Sequence, residues 1–249
     1  IEQIPWEDHL APDGSFVVAF TGSSQAIRNT HFGALTVKDG IVDRFRARTG
    51  GRPSVRAERP DIRLAVHLFR EQATVYLDLA GESLHRRAYR LEQGAAPLKE
   101  SLAAALLLQA GWPAVAADGG ALFDPVCGAG TLLIEGAWIA ADIAPGLLRS
   151  YYGFQGWLGH VPALWQRLRR DAQARRVAGL ARLPPIAGCD ADEGVVALAQ
   201  ANLDRAGLAG RVRIAQGDLT QAAPPHGVRL GLVVANPPYG ERLESPGTA

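Results

Sequence analysis

The chain has 249 residues, room for two modest domains or one large one, and its 47% hydrophobic and 20% charged content is the ordinary balance of a soluble globular protein. No apolar run approaches the roughly 20 residues of a membrane span, residues 1–6 lack the basic stretch and apolar core of a signal peptide, and the two cysteines are too few for a disulfide framework or a metal centre, so a cytoplasmic protein without membrane or metal is expected. The net charge of +1 divides unevenly: residues 28–70 carry ten Lys/Arg against four acids, a net of +6 that leaves −5 elsewhere, which suits either a polyanion-binding module joined to something else or a solvated basic face.

In chain order, residues 15–20 form a short apolar run that reads as a buried strand. A helix is expected over about 31–48, stopped by Gly50-Gly51-Arg52-Pro53. Residues 61–68 and 73–80 both alternate, with Ile62, Leu64, Val66 and Leu68 on one face and Val75, Leu77 and Leu79 inward. Arg70-Glu71-Gln72 between them suggests a hairpin. Residues 1–92 are therefore expected to be a small α+β domain. A boundary follows at 92–97, and from there helices (98–110, 131–144, 162–178, 193–206) alternate with strands (121–124, 185–190, 211–216, 230–235). That alternation implies an α/β domain over 93–249, with a parallel sheet covered by helices. The chain contains no methionine, and both termini read as cuts in a longer protein.

Asp124-Pro125-Val126-Cys127-Gly128-Ala129-Gly130-Thr131 joins a strand to a helix. Its glycines permit a sharp turn and close backbone approach, and the helix N-terminus behind them offers free N–H groups to an anion. A plain strand–turn–helix connection would show the same glycines. The acid at the strand end adds a partner for a ligand amino group, which favours an amino acid-like moiety over a pyrophosphate. The next strand ends in Cys189-Asp190-Ala191-Asp192, where a nucleotide-binding fold needs an acid for ribose hydroxyls. Asp190 is the first candidate and Asp192 the second, although Asp192 better suits the N-cap of the following helix. A third strand ends at Gln216-Gly217-Asp218, where an acid could accept from an adenine amino group.

The sharpest signal is Asn236-Pro237-Pro238-Tyr239, after a fourth apolar strand. The prolines fix the turn and remove two donors, leaving carbonyl acceptors. The Asn236 side-chain oxygen and the Pro237 carbonyl can both accept from one –NH2 group, drawing its lone pair out of conjugation. Tyr239 can stack on a base. Such a site works by positioning and electrostatics.

These segments together resemble the class I methyltransferases that act on amino groups. More narrowly, the chain resembles the bacterial family that methylates guanine N2 in large-subunit ribosomal RNA. Residues 140–147 and 157–165 match that subfamily too, and residues 27–34, 60–63 and 79–90 resemble a THUMP RNA-binding domain. The resemblance implies a Rossmann-like methyltransferase sheet preceded by a THUMP-like domain, with S-adenosyl-L-methionine as cofactor and ribosomal RNA as partner. By position it implies that Asn236, Pro237, Pro238 and Tyr239 hold the target base. Asp124, Cys127, Gly128, Gly130 and Thr131 would hold the methionine portion of the cofactor, Asp190 its ribose and Asp218 its adenine. Glu100 would help close that pocket, and Arg28, Arg44, Arg86 and Arg87 would grip RNA phosphates. Two departures stand out. Ala129 replaces the serine common in the family, and a complete class I sheet has more strands than the four read here, so this piece is expected to be poorly stable or inactive alone. Two other readings compete: an adenine-N6 methyltransferase, which the same loop chemistry allows, and a non-catalytic RNA-binding fragment.

Overall fold

The computed structural model describes residues 1–90, 98–225, 227 and 230–237; the expected boundary at 92–97, together with Pro238 and Tyr239, lies outside them. The chain forms two compact units, one of residues 1–83 with 150–166, the other of residues 84–149 with 167–249.

In the first unit a 3-10 turn over Trp6–Asp8 leads to β1 (Ser15–Gly22), α1 (Thr30–Thr49), the short β2 (Ser54–Val55), β3 (Ile62–Phe69) and β4 (Gln72–Leu77). The sheet order is β2-β1-β3-β4, with β1 parallel to both β2 and β3 and the β3–β4 hairpin antiparallel. Asn29 caps α1, its side-chain oxygen accepting from the His31 and Phe32 amides, and Gly50 ends it at φ 71°. The helix buries Gly33, Val37, Ile41, Val42 and Phe45, the i, i+4 stripe that lies on one helical face. These pack with Phe16, Ile62, Leu64 and Val66 in one apolar cluster. Each such side chain contributes about 1.5–3 kcal/mol of burial. The starts of β1 and β3 are tied by the Asp61 carboxylate, which accepts from the Ser15 amide and hydroxyl at 2.7 Å each. The expected inward face of β3 is confirmed, as Ile62, Leu64, Val66 and Leu68 are all buried. Leu79 is a correction: β4 ends at Leu77, and Leu79 lies beyond it with 48% of its surface exposed.

The second unit contains α2 (Glu100–Gln109), α3 (Trp112–Ala117), β5 (Ala121–Asp124), α4 (Thr131–Ala140), α5 (Pro162–Leu180, whose first residues belong to the first unit), β6 (Ile186–Asp190), α6 (Glu193–Arg205), β7 (Arg213–Gln216), a 3-10 turn over Leu219–Gln221, and β8 (Gly231–Val233). Its four described strands are all parallel, in the order β7-β6-β5-β8. The chain winds outward from β5 through β6 to β7, then crosses back to place β8 on the other side of β5. Such a reversal opens a crevice at the carboxyl ends of the strands. The core gathers Leu107, Trp112, Leu122, Leu133, Ile134, Trp138, Ile186 and Leu203, all buried. The helix expected to run to residue 144 stops at Ala140, because Asp142 takes φ 49° and the Ile143 amide turns back to the Trp138 carbonyl.

The last turn of α5 presses on this bend. A Cβ built on Gly179 would lie 1.8 Å from the Ala141 carbonyl oxygen, which is backbone and has no room to yield. Gly179→Ala should therefore lower stability by about 2 kcal/mol despite the better helix propensity of alanine. Urea denaturation of the variant beside the parent checks it, and an unchanged midpoint would show that the bend moves aside freely.

Candidate functional site

The carboxyl ends of β5, β6, β7 and β8 deliver the acids and the amide that the sequence singles out to one edge of a parallel sheet. Asp124 is the last residue of β5, paired in register with Gly188, and Asp190 is the last residue of β6, paired with Gln216. Asp218 follows β7 by two residues. β8 is prolonged by the Val234 amide bonding to the Phe123 carbonyl at 2.9 Å, and Asn236, half-buried, emerges two residues later. The crevice at the switch point is thus flanked by the glycine turn after β5 and by Asn236 and Pro237 after β8.

The glycine turn is tightly anchored. Gly128 and Gly130 have φ of 52° and 79°, a region that favours glycine. The Asp190 carboxylate accepts from the Gly128 amide at 3.0 Å, and the Cys189 carbonyl accepts from the Cys127 amide at 2.8 Å. A Cβ at Gly128 would meet nothing within 4 Å, so the space beside the turn is open. α4 begins directly behind with Gly130 as N-cap and no side-chain cap. Its first amides therefore remain available to a ligand anion. Cys127 and Cys189 are both buried free thiols, their pKa values raised chiefly by burial. Among the described residues no cluster of three or more His, Cys, Asp or Glu could hold a metal ion, and no helix is long and apolar enough to cross a membrane.

Several residues that sequence reasoning gave no role hold the turn from behind. Asn202 of α6, fully buried, donates to the Ala129 carbonyl at 2.9 Å. Arg90 donates to the Thr131 hydroxyl and, at 3.1 Å, to the Leu98 carbonyl, and faces Glu100 at 3.7 Å. Glu135 of α4 accepts from the Tyr89 hydroxyl at 3.3 Å and faces Arg87 at 3.5 Å. Burial pushes the Glu135 carboxyl up to about 7, against the pull of Arg87. A polar residue inside an apolar helix stripe was the only available signal, and it does not name its partner. Asp192 is the α6 N-cap, as its spacing suggested, accepting from the Gly194 and Val195 amides. Asp218 caps the turn after β7, and the Thr220 hydroxyl and amide hold its pKa below the ordinary value.

The four arginines sit in different settings. Arg28 and Arg86 are exposed. Arg87 faces Glu135. Arg44 donates to both oxygens of Glu7, at 2.6 and 2.8 Å, and to the Glu2 carbonyl, so its guanidinium is committed within the protein and holds the Glu7 carboxyl down at about 2.

Asp124 is 1% exposed and, among the described residues, accepts one hydrogen bond, from the Val126 amide at 3.1 Å. Burial, with the nearby charge of Asp190 adding to it, pushes its pKa from 3.8 up to about 7. An acid raised in the fold is penalised when ionised. The penalty is absent below pH 4, grows through the window between the two values at about 1.4 kcal/mol per pH unit, and is complete above pH 7. Asp124→Asn keeps the acceptor for Val126, so it should be the more stable protein at pH 8, by a few kcal/mol, and the gain should vanish at pH 4. Chemical denaturation at both pH values tests this; a variant weaker than the parent at pH 8 would refute it.

The THUMP domain family matches residues 1–78 and the UPF0020 family, the RMKL-like methyltransferase domain, matches residues 87–249. The chain is 57% identical over 245 residues to the ribosomal RNA large subunit methyltransferase K/L of Pseudomonas paraeruginosa, covering 98% of this chain and 34% of that protein. It thus spans about a third of the length of the curated relatives it matches. Two crystal structures superpose with a TM-score of 0.81. One, described as a predicted N6-adenine-specific DNA methylase from Listeria monocytogenes, is 33% identical, with 97% of this chain and 61% of that one covered. The other, SMU.472, described as a methyltransferase and crystallised with SAH, is 30% identical, with 98% and 63% covered. The chain belongs to the RMKL-like methyltransferase-domain family, and carries a THUMP domain ahead of that domain.

Proposed function

We propose that the protein transfers a methyl group from S-adenosyl-L-methionine to the exocyclic N2 of a guanine in large-subunit ribosomal RNA. The observation that carries this reading is the switch-point crevice, with Asp124 and an uncapped glycine turn on one side and Asn236-Pro237 on the other. The cofactor fits the residues present: open space at Gly128 and free amides at the start of α4 suit its carboxylate, and Asp124, at the edge of that turn, suits its ammonium. Cys127 and Thr131 complete the wall of the turn. A cationic partner would draw the raised pKa of Asp124 back down, so ligand binding and ionisation of this acid reinforce each other. Asp190, which accepts from Gly128, is the acceptor for ribose hydroxyls, and Asp218 the acceptor for an adenine amino group. When bound, the cofactor supplies an electrophilic methyl group on a sulfonium.

The remaining work is positional. The Asn236 side-chain oxygen and the Pro237 carbonyl accept from the target amino group and hold its lone pair toward the methyl carbon. Pro238 stiffens the turn and Tyr239 stacks on the base; both roles rest on the sequence. So held, the amine would be placed to accept the methyl group the cofactor supplies, and would release one proton to water. The target base must leave its stack to reach the crevice, which RNA permits most readily in loops and bulges. The THUMP domain, residues 1–92 in this reading, would grip phosphates, with the exposed Arg28 there and Arg86 and Arg87 in the segment beginning the other unit; Arg44 serves only by exchanging its Glu7 contact. Ribosomal RNA is favoured by the name of the 57% identical relatives. The name of the Listeria structure favours an adenine-N6 target as the second reading.

The full-length protein, tritiated S-adenosylmethionine, and unmodified large-subunit ribosomal RNA beside duplex DNA decide between them. Digested nucleosides should carry label in N2-methylguanosine, and Asn236→Ala should reduce the rate by roughly a hundred-fold or more. Label in N6-methyladenine would replace the first reading with the second. Asp190→Ala should raise KM for the cofactor roughly 10- to 100-fold, the loss of one or two charged hydrogen bonds. An unchanged KM would remove Asp190 from the cofactor site.

A further inference from the structure

The outer face of the sheet in the first unit is a platform of exposed rings on a floor of small residues. Along β3, Ile62, Leu64, Val66 and Leu68 point into the core, so Ala65, His67 and Phe69 point the other way. The β3–β4 register sets Tyr76 opposite Ala65 and Thr74 opposite His67. The β1–β3 register sets Ala19 beside Ala65 and Thr21 beside His67. Tyr76 and His67 therefore stand beside alanine and threonine, while Phe69 lies across from Gln72. Phe69 is 60% and Tyr76 54% exposed, and with His67 they lie on one face of the sheet. The rings are ordered as well as exposed. His67 and Phe69 stack at 6.5 Å between centroids with planes 11° apart, and Thr21 Oγ1 holds His67 Nδ1 at 3.0 Å.

Positive charge borders the platform. The hairpin turns in two residues, Arg70 and Glu71, both at positive φ (47° and 61°), the pattern of a type I′ turn adopted here without glycine. That turn carries Arg70 back over Phe69, with its guanidinium carbon 5.1 Å from the ring centroid. The loop after β1 abuts the same tip, the Gln25 amide donating to Glu71, and the exposed Arg28 follows three residues on.

We infer that this face, through Phe69, Tyr76 and His67 with Arg70 and Arg28 at its border, binds single-stranded RNA by stacking two or three unpaired bases. The inference rests on the RNA reading of the proposed function and assigns it a surface. Its physical basis is the match of shape and charge. A four-stranded sheet that lifts a few aromatic rings above small side chains offers flat π-faces at strand spacing, which suits splayed bases. The flanking guanidinium groups meet the phosphates between those bases. A protein partner would bury aliphatic side chains in a contoured core, and around Tyr76 and His67 the face offers alanine and threonine, with Gln72 beside Phe69.

Fluorescence of an unstructured single-stranded oligoribonucleotide carrying 2-aminopurine, titrated with the full-length protein, tests the assignment. Stacking should quench the label on binding. Phe69→Ala with Tyr76→Ala should weaken binding roughly ten-fold or more and abolish the quench. Because both side chains are exposed, the fold should survive, as circular dichroism would verify. Phe69→Leu with Tyr76→Leu, which keeps apolar bulk but removes the π-faces, should also lose the quench; retention of it would overturn the stacking assignment. Unchanged affinity and quench in the alanine variant would overturn the face itself, whether a protein or nothing covers it, while leaving RNA binding elsewhere intact. Failure of the unsubstituted protein to bind any RNA would instead sink the reading on which this one rests.

Discussion

Parallel strands end with their carbonyls and terminal side chains at one edge, and here adjacent strands end in acids. Asp124 closes β5 and Asp190 closes β6, and two carboxylates so placed repel. The fold resolves the repulsion through the glycine turn. Asp190 takes the Gly128 amide, while Asp124, sealed from water and accepting from the Val126 amide, gives up much of its charge near neutral pH. The division of roles follows from solvation rather than from residue type. The rest of the second unit supports that arrangement: Asn202 fixes the Ala129 carbonyl, Arg90 fixes the Thr131 hydroxyl, and the bulk of α4 is buried. A turn pinned from three sides can present its free amides in one geometry, so little ordering remains for a ligand to impose.

Much of this was legible from pattern. Strands 121–124 and 62–69 announced themselves by apolar run and by alternation, and the helix stop at Gly50-Gly51 by chemistry. What escaped was of two kinds. α3 (Trp112–Ala117) and β2 (Ser54–Val55) are too short to set up a period. The end of α4 at Ala140 depends on Asp142 adopting a left-handed conformation so that Gly179 can pack against Ala141, a long-range contact without local signature. At the site, spacing placed Asp190 and separated it correctly from the cap at Asp192. It gave no hint that Arg44 is taken by Glu7 or that Arg87 faces a buried glutamate, because charge counted along a sequence carries no information about partners.

That distinction separates structural from functional residues in this protein. Asp192, Asn202 and Arg44 each satisfy amides, carbonyls or charges that would otherwise be unpaired, so folding alone accounts for them. Other groups run against folding. Asp124 is an ionisable side chain kept almost wholly from water, with one partner among the described residues. The first turn of α4 is left without a side-chain cap, its amides unsatisfied by the N-cap Gly130. Phe69 and Tyr76 are rings held in water, and the hairpin beside them places two non-glycine residues at positive φ. Each of these would become favourable with the ligand proposed for it: an ammonium at Asp124, a carboxylate at α4, unpaired bases on the rings. On the proposed reading, the places where the sequence departs from what stability alone would select are the places where methyl donor and nucleic acid would have chemistry to meet.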